Sequence, residues 1–178
     1  YIISKGRWET RKTARALDSM GVPFFIVVEA SEYHKYKEVV TGGTVLVLDK
    51  KYQDEYDPMT KDDWKSNGPG AARNFCWDHS IDLGADSHWV LDDNILAFGR
   101  VNKNTYARVN LGTIFKVAED FVDRYENVAI AGFQYFMFMV FKEERPAFIL
   151  NSRIYSCLLI RNDIPYRWRG RYCLLYTS

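Results

Sequence analysis

The sequence predicts an α/β protein in which helices flank a mostly parallel central sheet. Apolar runs of strand length alternate with segments of helical periodicity, and the connections between them are short. A chain of 178 residues, 47% hydrophobic and 16% aromatic, is also large and apolar enough to bury one core. Alternation of this kind predicts right-handed crossovers and a ligand at the carboxyl ends of the strands.

The first fifty residues predict the order strand, helix, strand, helix, strand. The chain starts with an extended segment at residues 1–4, and Thr10 is a candidate cap for a helix that ends at Gly21. Gly42 and Gly43 separate a second helix from a third strand. The predicted ranges are a strand at 24–29, a helix at 31–40 and a strand at 44–49.

The remainder of the chain predicts a loop, two helices and four more strands. Residues 50–68 are polar and irregular, which favours a loop, and Pro69 with Gly70 indicates the start of a helix. Apolar residues keep helical spacing over residues 113–125. The predicted strands lie at 87–91, 128–133, 148–151 and 155–160.

The charge balance excludes a global attraction to DNA or to an anionic membrane. The 24 basic and 23 acidic residues nearly cancel, so any nucleic-acid contact must be a local patch. A basic cluster near the end of the chain is either a solvated rim or a phosphate contact. Its members are Arg161, Arg167, Arg169 and Arg171. The longest apolar run, residues 129–141, is too short to span a bilayer.

The three cysteines predict a reduced protein. Cys76, Cys157 and Cys173 lie in apolar stretches, which is typical of reduced packing residues rather than of a disulfide framework. A reducing cytoplasm is the compartment that this predicts. His79 and His88 lie near Cys76, but no second ligand pair at zinc-finger spacing accompanies them, so the pattern does not favour a zinc site.

An acidic tripeptide follows the apolar run of residues 89–91. Asp92, Asp93 and Asn94 place hard oxygen ligands where a buried strand is predicted to end, which suits Mg²⁺ or Mn²⁺ and a diphosphate. The same residues could instead form a turn or cap a helix.

Other polar residues are predicted at the same edge of the sheet. The polar residues Ser4, Lys5 and Arg7 follow the first strand, and Glu29 follows the second. A basic loop, an acidic strand end and a divalent cation together suit a sugar nucleotide. Lys5 and Arg7 could equally belong to an ordinary basic turn.

Two further segments have both a binding and a structural interpretation. Residues 68–74 open a helix, where free N–H groups and Arg73 could receive a phosphate, although the spacing matches no P-loop or dinucleotide fingerprint. The aromatic residues of 133–138 could stack a base or a sugar, but a run of this density favours strand core.

Taken together, these segments resemble a known family. The chain is similar to the TET/JBP-associated glycosyltransferases, which are found chiefly in bacteriophages. The resemblance follows the order of the chain over nearly its whole length. The segments that carry it are ISKGRW at 3–8, VE at 28–29 with EY at 32–33, GAARN at 70–74, HWVLDDNI at 88–95, NSRIYS at 151–156 and WRGRY at 168–172.

The resemblance implies a GT-A-like, Rossmann-like domain at residues 1–172 that uses Mn²⁺ or Mg²⁺. It implies transfer of a sugar from a nucleoside-diphosphate sugar to a hydroxymethylated pyrimidine in DNA, in the host cytoplasm if the chain is phage-encoded. The implied donor-binding residues are Ser4, Lys5, Arg7, Glu29, Arg73, Asn74 and Asp92. The implied metal residues are Asp92, Asp93 and Asn94, and the acceptor-side candidates are Arg153 and Tyr155.

The chain departs from the family pattern after Tyr172. Family members continue there with an acidic segment, whereas residues 173–178 are similar to translated adapter sequence. We therefore expect a non-native tail and an enzyme that lacks its catalytic base, whose contribution to rate is typically about 10²–10⁴-fold. Two alternatives stay open: a noncatalytic nucleotide- or DNA-binding module, and a nucleotidyltransferase, which would release pyrophosphate instead of a nucleoside diphosphate.

Overall fold

A six-stranded sheet forms the centre of the protein. The computed structural model describes residues 1–59, 68–139 and 146–170. The strand order across the sheet is β3-β2-β1-β4-β8-β7. The bounds of these strands are β1 Ile2–Ile3, β2 Phe24–Val28, β3 Gly43–Val47, β4 Ser87–Asp92, β7 Ile130–Gly132 and β8 Cys157–Arg161.

The sheet is mostly parallel, as the sequence predicts. Strand β1 pairs in parallel with β2 on one side and with β4 on the other, and β3 extends the parallel set. Strand β8 runs antiparallel between β4 and β7. The α/β architecture is therefore confirmed, and it is compatible with a GT-A-like fold.

Five α-helices accompany the strands within the described residues, and the two faces of the sheet carry separate apolar cores. Their bounds are α1 Lys12–Ser19, α2 Tyr33–Val39, α3 Lys50–Asp54, α4 Gly70–Asp82 and α5 Thr113–Val122. On one face Ile2 and Leu91 pack with residues of α1, α2 and α5. On the other face Val27 and Val90 pack with Cys76 and Trp77 of α4. The alternation follows from the two-residue period of a strand.

Two boundary predictions are corrected by the structure. Residues 50–68 do not form a loop throughout, because α3 begins at Lys50, where the Asp49 carboxylate accepts the Lys51 backbone N–H at 2.9 Å. Residues 60–67 lie outside the described residues. The cap of α1 is Arg11, with a φ of 29°, and not Thr10.

The predicted strand at residues 148–151 is wrong. Phe148, Ile149 and Leu150 are 48%, 60% and 70% exposed and are assigned to no strand. The run follows Pro146, and Asn151 takes a φ of 51°, which ends an extended segment.

A hairpin that the sequence did not predict follows β4. Strands β5 Phe98–Asn102 and β6 Thr105–Val109 pair antiparallel as a separate two-stranded sheet. Lys103 and Asn104 form the turn with φ values of 46° and 63°. Positive φ at both central residues is the geometry of a two-residue type I′ turn.

Cys76 and Cys157 are buried and unpaired with one another, in agreement with their predicted packing role, and Cys173 lies outside the described residues. Within the described ranges, no helix has the length and apolar composition needed to cross a bilayer.

Candidate active site at the carboxyl edge of the sheet

The site lies where β1 and β4 end side by side. From β1 the chain proceeds outward to β2 and β3, whereas β4 lies on the opposite side of β1. Such a reversal of direction opens a crevice at the carboxyl ends of parallel strands, where α/β proteins bind ligands. Ile3 pairs with Asp92, so the residues after these two positions meet at this edge.

Asp93 accepts hydrogen bonds that begin in the loop after β1. The Ser4 hydroxyl donates to Asp93 Oδ2 at 2.8 Å, and Arg7 Nη1 donates to Oδ1 at 2.8 Å. Because Ser4 uses its single proton on the carboxylate, the Tyr36 hydroxyl, 2.6 Å from Ser4 Oγ, must donate to Ser4. The Arg7 backbone N–H donates to Tyr36 at 3.0 Å and completes the chain. Burial raises the pKa of Tyr36, which keeps this phenol protonated as the donor.

Asp92 has an equivalent set of partners on the opposite face of the sheet. Arg73 Nη2 of α4 donates to Asp92 Oδ1 at 3.2 Å, and the Ser156 hydroxyl donates to Oδ2. The Tyr135 hydroxyl donates a hydrogen bond to Ser156 Oγ, because the single hydroxyl proton of Ser156 is donated to Asp92. Each aspartate therefore receives an arginine and a Tyr–Ser chain.

Helix α1 holds the turn that carries both aspartates. Thr13 is fully buried, and its hydroxyl donates to the Asp92 carbonyl at 2.6 Å. The same oxygen accepts the Ile95 N–H at 2.9 Å. One side chain thus fixes the backbone on both sides of Asp93 and Asn94, and Asn94 itself is exposed in the turn.

Arg73 is positioned by the ring of Trp168. Its guanidinium lies 4.6 Å from the centre of the Trp168 ring, and its side chain is only 9% exposed. Asn74 holds Trp168 in place: its amide donates to the Trp168 carbonyl at 3.0 Å and its Oδ1 accepts the Trp168 N–H at 2.8 Å. Asn74 therefore supports Arg73 through Trp168.

The loop after β1 carries a second ionic layer outside the aspartates. Lys5 Nζ lies 2.6 Å from Glu29 Oε1, and the Gly6 N–H donates to both oxygens of Glu32, at 2.9 and 3.0 Å. Gly6 has a φ of 70°, which allows the backbone to turn its N–H toward that carboxylate. Lys5 is 71% exposed, so this pair is open to exchange with a ligand.

An open cleft of about 180 Å³ lies near Asp92, with Tyr135 and Ser156 between them. Tyr135, which starts the hydrogen-bond chain to Asp92, forms part of its wall together with both acceptor-side candidates. The lining residues are Gln134, Tyr135, Phe138, Ser152, Arg153 and Tyr155. The sequence favoured core packing for the aromatic run of residues 133–138, yet Phe136 and Phe138 are 46% and 53% exposed.

The residues proposed for a metal do not form a complete cation cage. Among the described residues, no three acidic, histidine or cysteine side chains cluster closely enough to hold an ion. Asp92 and Asp93 are consecutive in the chain and 37% and 13% exposed, but their carboxylates lie on opposite faces of the sheet. Each carboxylate oxygen accepts one hydrogen bond and keeps a further lone pair. Either carboxylate alone could supply one ligand to a cation that obtains its other ligands from water and from a bound phosphate.

The structure brings most of the predicted edge residues together. Ser4 and Arg7 are hydrogen-bonded to Asp93, and Arg73 is hydrogen-bonded to Asp92 on the opposite face of the sheet. Lys5 and Glu29 lie at the rim of this edge, Asn74 supports Arg73 from behind, and Arg153 and Tyr155 line the adjoining cleft.

The predicted basic cluster is largely paired. Three of its members, Arg161, Arg167 and Arg169, have carboxylate partners at the surface. The partners are Asp163, Asp78 and Asp57, respectively. This pairing favours the interpretation as a surface rim. Arg171 lies outside the described residues. The segment after Tyr172, in which the family pattern places the catalytic base, also lies outside them.

Tyr36 and Thr13 are site residues that the sequence did not reveal, whereas Tyr135 belongs to the aromatic run of residues 133–138, for which strand core was the favoured interpretation. Ser156 carried a weak signal, because it stands next to an apolar strand as Ser4 does. Tyr36 and Thr13 lie on amphipathic helices, where nothing distinguishes them from packing residues.

The fold and the site together define an α/β protein that presents two aspartates and two arginines at the switch point of its sheet. Comparison with protein families shows that the model of the TET-Associated Glycosyltransferase family matches residues 1–174, so this chain belongs to that family of glycosyltransferases. No curated protein and no solved structure matches the chain significantly.

Proposed function

We propose that this glycosyltransferase transfers a sugar from a nucleoside-diphosphate sugar to a hydroxymethylated pyrimidine in DNA. The observation that carries the proposal is the pair Asp92 and Asp93 at the end of β4, each bound to an arginine beside the switch point. Carboxylates and guanidinium groups at such an edge suit a ligand that combines hydroxyl groups with phosphate charge.

The basic side chains that would bind the donor form ion pairs with carboxylates in the free protein, and donor binding would replace some of these pairs. Arg7 is 49% exposed and Lys5 is 71% exposed, so both can turn to a diphosphate at low cost. Arg73 is different, because Trp168 and Asp92 hold its guanidinium in one place. We assign Arg73 the fixed contact to the donor and Arg7 with Lys5 the mobile ones.

Asp92 and Asp93 are the residues that would hold Mn²⁺ or Mg²⁺. A divalent cation bound there supplies charge neutralisation for the departing diphosphate. The carboxylates contribute only part of a coordination shell, so the donor phosphates complete it and cation affinity depends on the donor.

The test is calorimetric titration of the chain with UDP-glucose, with Mn²⁺ alone, and with both together. We expect binding of the pair to exceed the binding of either component by tenfold or more. The matched control is Asp120→Asn, which removes an exposed carboxylate paired with Lys116 on α5. Equal donor affinity with and without Mn²⁺, in a chain that is folded, would contradict metal dependence.

Activity separates the proposed function from a noncatalytic binding module. Incubation of UDP-glucose and an oligonucleotide containing 5-hydroxymethylcytosine with the chain should release nucleoside diphosphate and increase the oligonucleotide mass by one hexose. A chain that binds the donor but transfers nothing, even when the acidic segment typical of the family is restored after Tyr172, would favour the binding module.

A further inference from the structure

We propose that the cleft beside Asp92 receives a single pyrimidine base taken out of the DNA stack, and that the β5–β6 hairpin contacts the adjoining phosphates. This inference rests on the proposed function, because it assumes that DNA is the acceptor. It adds the form in which DNA is bound: an unstacked nucleotide instead of an intact duplex.

The size of the cleft favours one ring. Pockets that enclose a whole drug-sized ligand are typically about 300–1,000 Å³. This cleft is about 180 Å³, which is too small for a complete sugar nucleotide but adequate for a base. The donor would therefore occupy the crevice at the ends of β1 and β4, and the cleft would remain for the acceptor.

The lining of the cleft has the chemistry that recognises an exposed base. Phe138 and Tyr155 present two rings with centroids 5.8 Å apart, and Phe138 is 53% exposed. Aromatic faces of this kind stack on bases. Gln134 and Arg153 add a carboxamide and a guanidinium, which can hydrogen-bond the edge of a base that is no longer paired.

The cleft is directly connected to the donor edge. Tyr135 lines the cleft, and its hydroxyl reaches Asp92 through Ser156. A base in the cleft would therefore be separated from Asp92 by the side chains of Tyr135 and Ser156, and its hydroxymethyl group would extend toward the sugar along this path. A base held within a duplex could not reach this recess, since base pairing and stacking enclose it.

The hairpin supplies positive charge beside the same aromatic surface. The segment 94–118 contains Arg100, Lys103, Arg108 and Lys116 and no acidic residue. Tyr106 lies two residues from Arg108 on the same face of β6, and its ring contacts Phe136 with centroids 5.2 Å apart. The short turn Phe136–Phe138 thus connects the basic hairpin to the cleft. This arrangement fits a stacked base with phosphate groups on both sides. An uncharged sugar acceptor would not be attracted by these positive charges, whereas a phosphate backbone would be.

The test uses the full chain and a fluorescent single-stranded oligonucleotide with one 5-hydroxymethylcytosine. Phe138→Ala and Tyr155→Ala should each weaken binding about fivefold or more, the effect of losing one stacking ring. Met137→Ala is the matched control, because Met137 lies in the same turn, is 79% exposed and does not line the cleft. Its affinity should equal that of the parent.

The role of the hairpin is tested by the salt dependence of the same binding. The double variant Lys103→Ala/Arg108→Ala should lower the slope of log affinity against log salt by about 0.7 for each lost phosphate contact on a single strand. Lys50→Ala, an exposed cation on α3, should leave the slope unchanged. A duplex with a mismatch at the modified base should bind more tightly than the matched duplex, since extrusion of the base then costs less.

Three results would overturn the inference. These are unchanged affinity in both aromatic variants, tighter binding of the matched duplex than of the single strand, and an unaltered salt slope in the hairpin variant. UDP-glucose titration of every variant separates this failure from that of the proposed function. Lost DNA binding with normal donor binding supports the cleft, whereas normal DNA binding by the parent without any transfer contradicts the proposed reaction alone.

Discussion

The substitution Asp93→Asn distinguishes a ligand-binding aspartate from a purely structural one. Asp93 is 13% exposed and receives hydrogen bonds from Ser4 and Arg7. Asparagine keeps one oxygen that can still accept from Ser4, but it loses the negative charge and presents an amide that cannot accept from Arg7. The change therefore removes one ion pair while leaving the shape of the site nearly the same.

The structure sets the expected loss of stability. Hydrogen bonds to charged groups contribute about 1.5–3 kcal/mol when buried, whereas exposed ion pairs contribute about 0.2–1 kcal/mol. Arg7 is 49% exposed, so we expect a decrease of about 1–2 kcal/mol in the free energy of unfolding. For a chain of 178 residues this corresponds to a fall of roughly 2–8 °C in Tm.

The assay is thermal unfolding with and without saturating UDP-glucose and Mn²⁺. A bound donor raises Tm by mass action, so the size of this increase reports affinity independently of the loss in the free protein. We expect the parent to show a clear increase and Asp93→Asn to show none.

Arg7→Gln is the matched variant, because it breaks the same ion pair from the other side and leaves the Asp93 carboxylate intact. If Asp93 acts only by holding Arg7, the two variants will lose the same donor-induced increase in Tm. If Asp93 itself binds the metal and donor, Arg7→Gln will retain part of the increase. A full donor-induced increase in Asp93→Asn would refute the assignment.

Two further predictions concern Arg73 and His88. Arg73→Lys keeps the charge but loses the planar contact with Trp168, so donor affinity should fall about tenfold by titration, while Arg169→Lys at an exposed pair should change nothing measurable. Burial lowers the pKa of His88 to about 4 from its ordinary 6.5, so the neutral imidazole is favoured in the folded protein. Its stabilisation is present above pH 6.5 and is lost as the pH falls toward 4. Between pH 7.5 and 5 the parent should lose about 2 kcal/mol more than His88→Gln in denaturant unfolding, and parallel pH curves for the two proteins would contradict this.

The sequence was informative where local pattern and tertiary structure agree. Strands β1 and β4 are apolar runs, and their ends placed Ser4, Asp92 and Asp93 at one edge correctly. Parallel strands share a carboxyl edge, so an ordered list of strand ends was enough to bring these residues together.

The errors have a different origin. Residues 148–151 have the composition of a strand, but they follow a proline and lie on the surface without a partner strand in the described part of the sheet. The β5–β6 hairpin was missed because Lys103 and Asn104 replace the Asn-Gly pair that usually indicates a type I′ turn. The hydroxyls of Tyr36 and Tyr135 approach the aspartates only through long-range packing, which no local pattern encodes.

The opposite orientation of Asp92 and Asp93 means that the apolar cores determine which arginine each carboxylate meets. Val90 belongs to the core beneath α4 and Leu91 to the core beneath α1 and α2, so alternation along β4 sends Asp92 to Arg73 and Asp93 to Arg7. A slip of β4 by one residue would move one aspartate into the position of the other and leave one arginine without its carboxylate, and it would also turn Val90 and Leu91 onto the wrong faces. The positions of the charged side chains at this edge are therefore set by the burial of Val90 and Leu91 in the apolar cores.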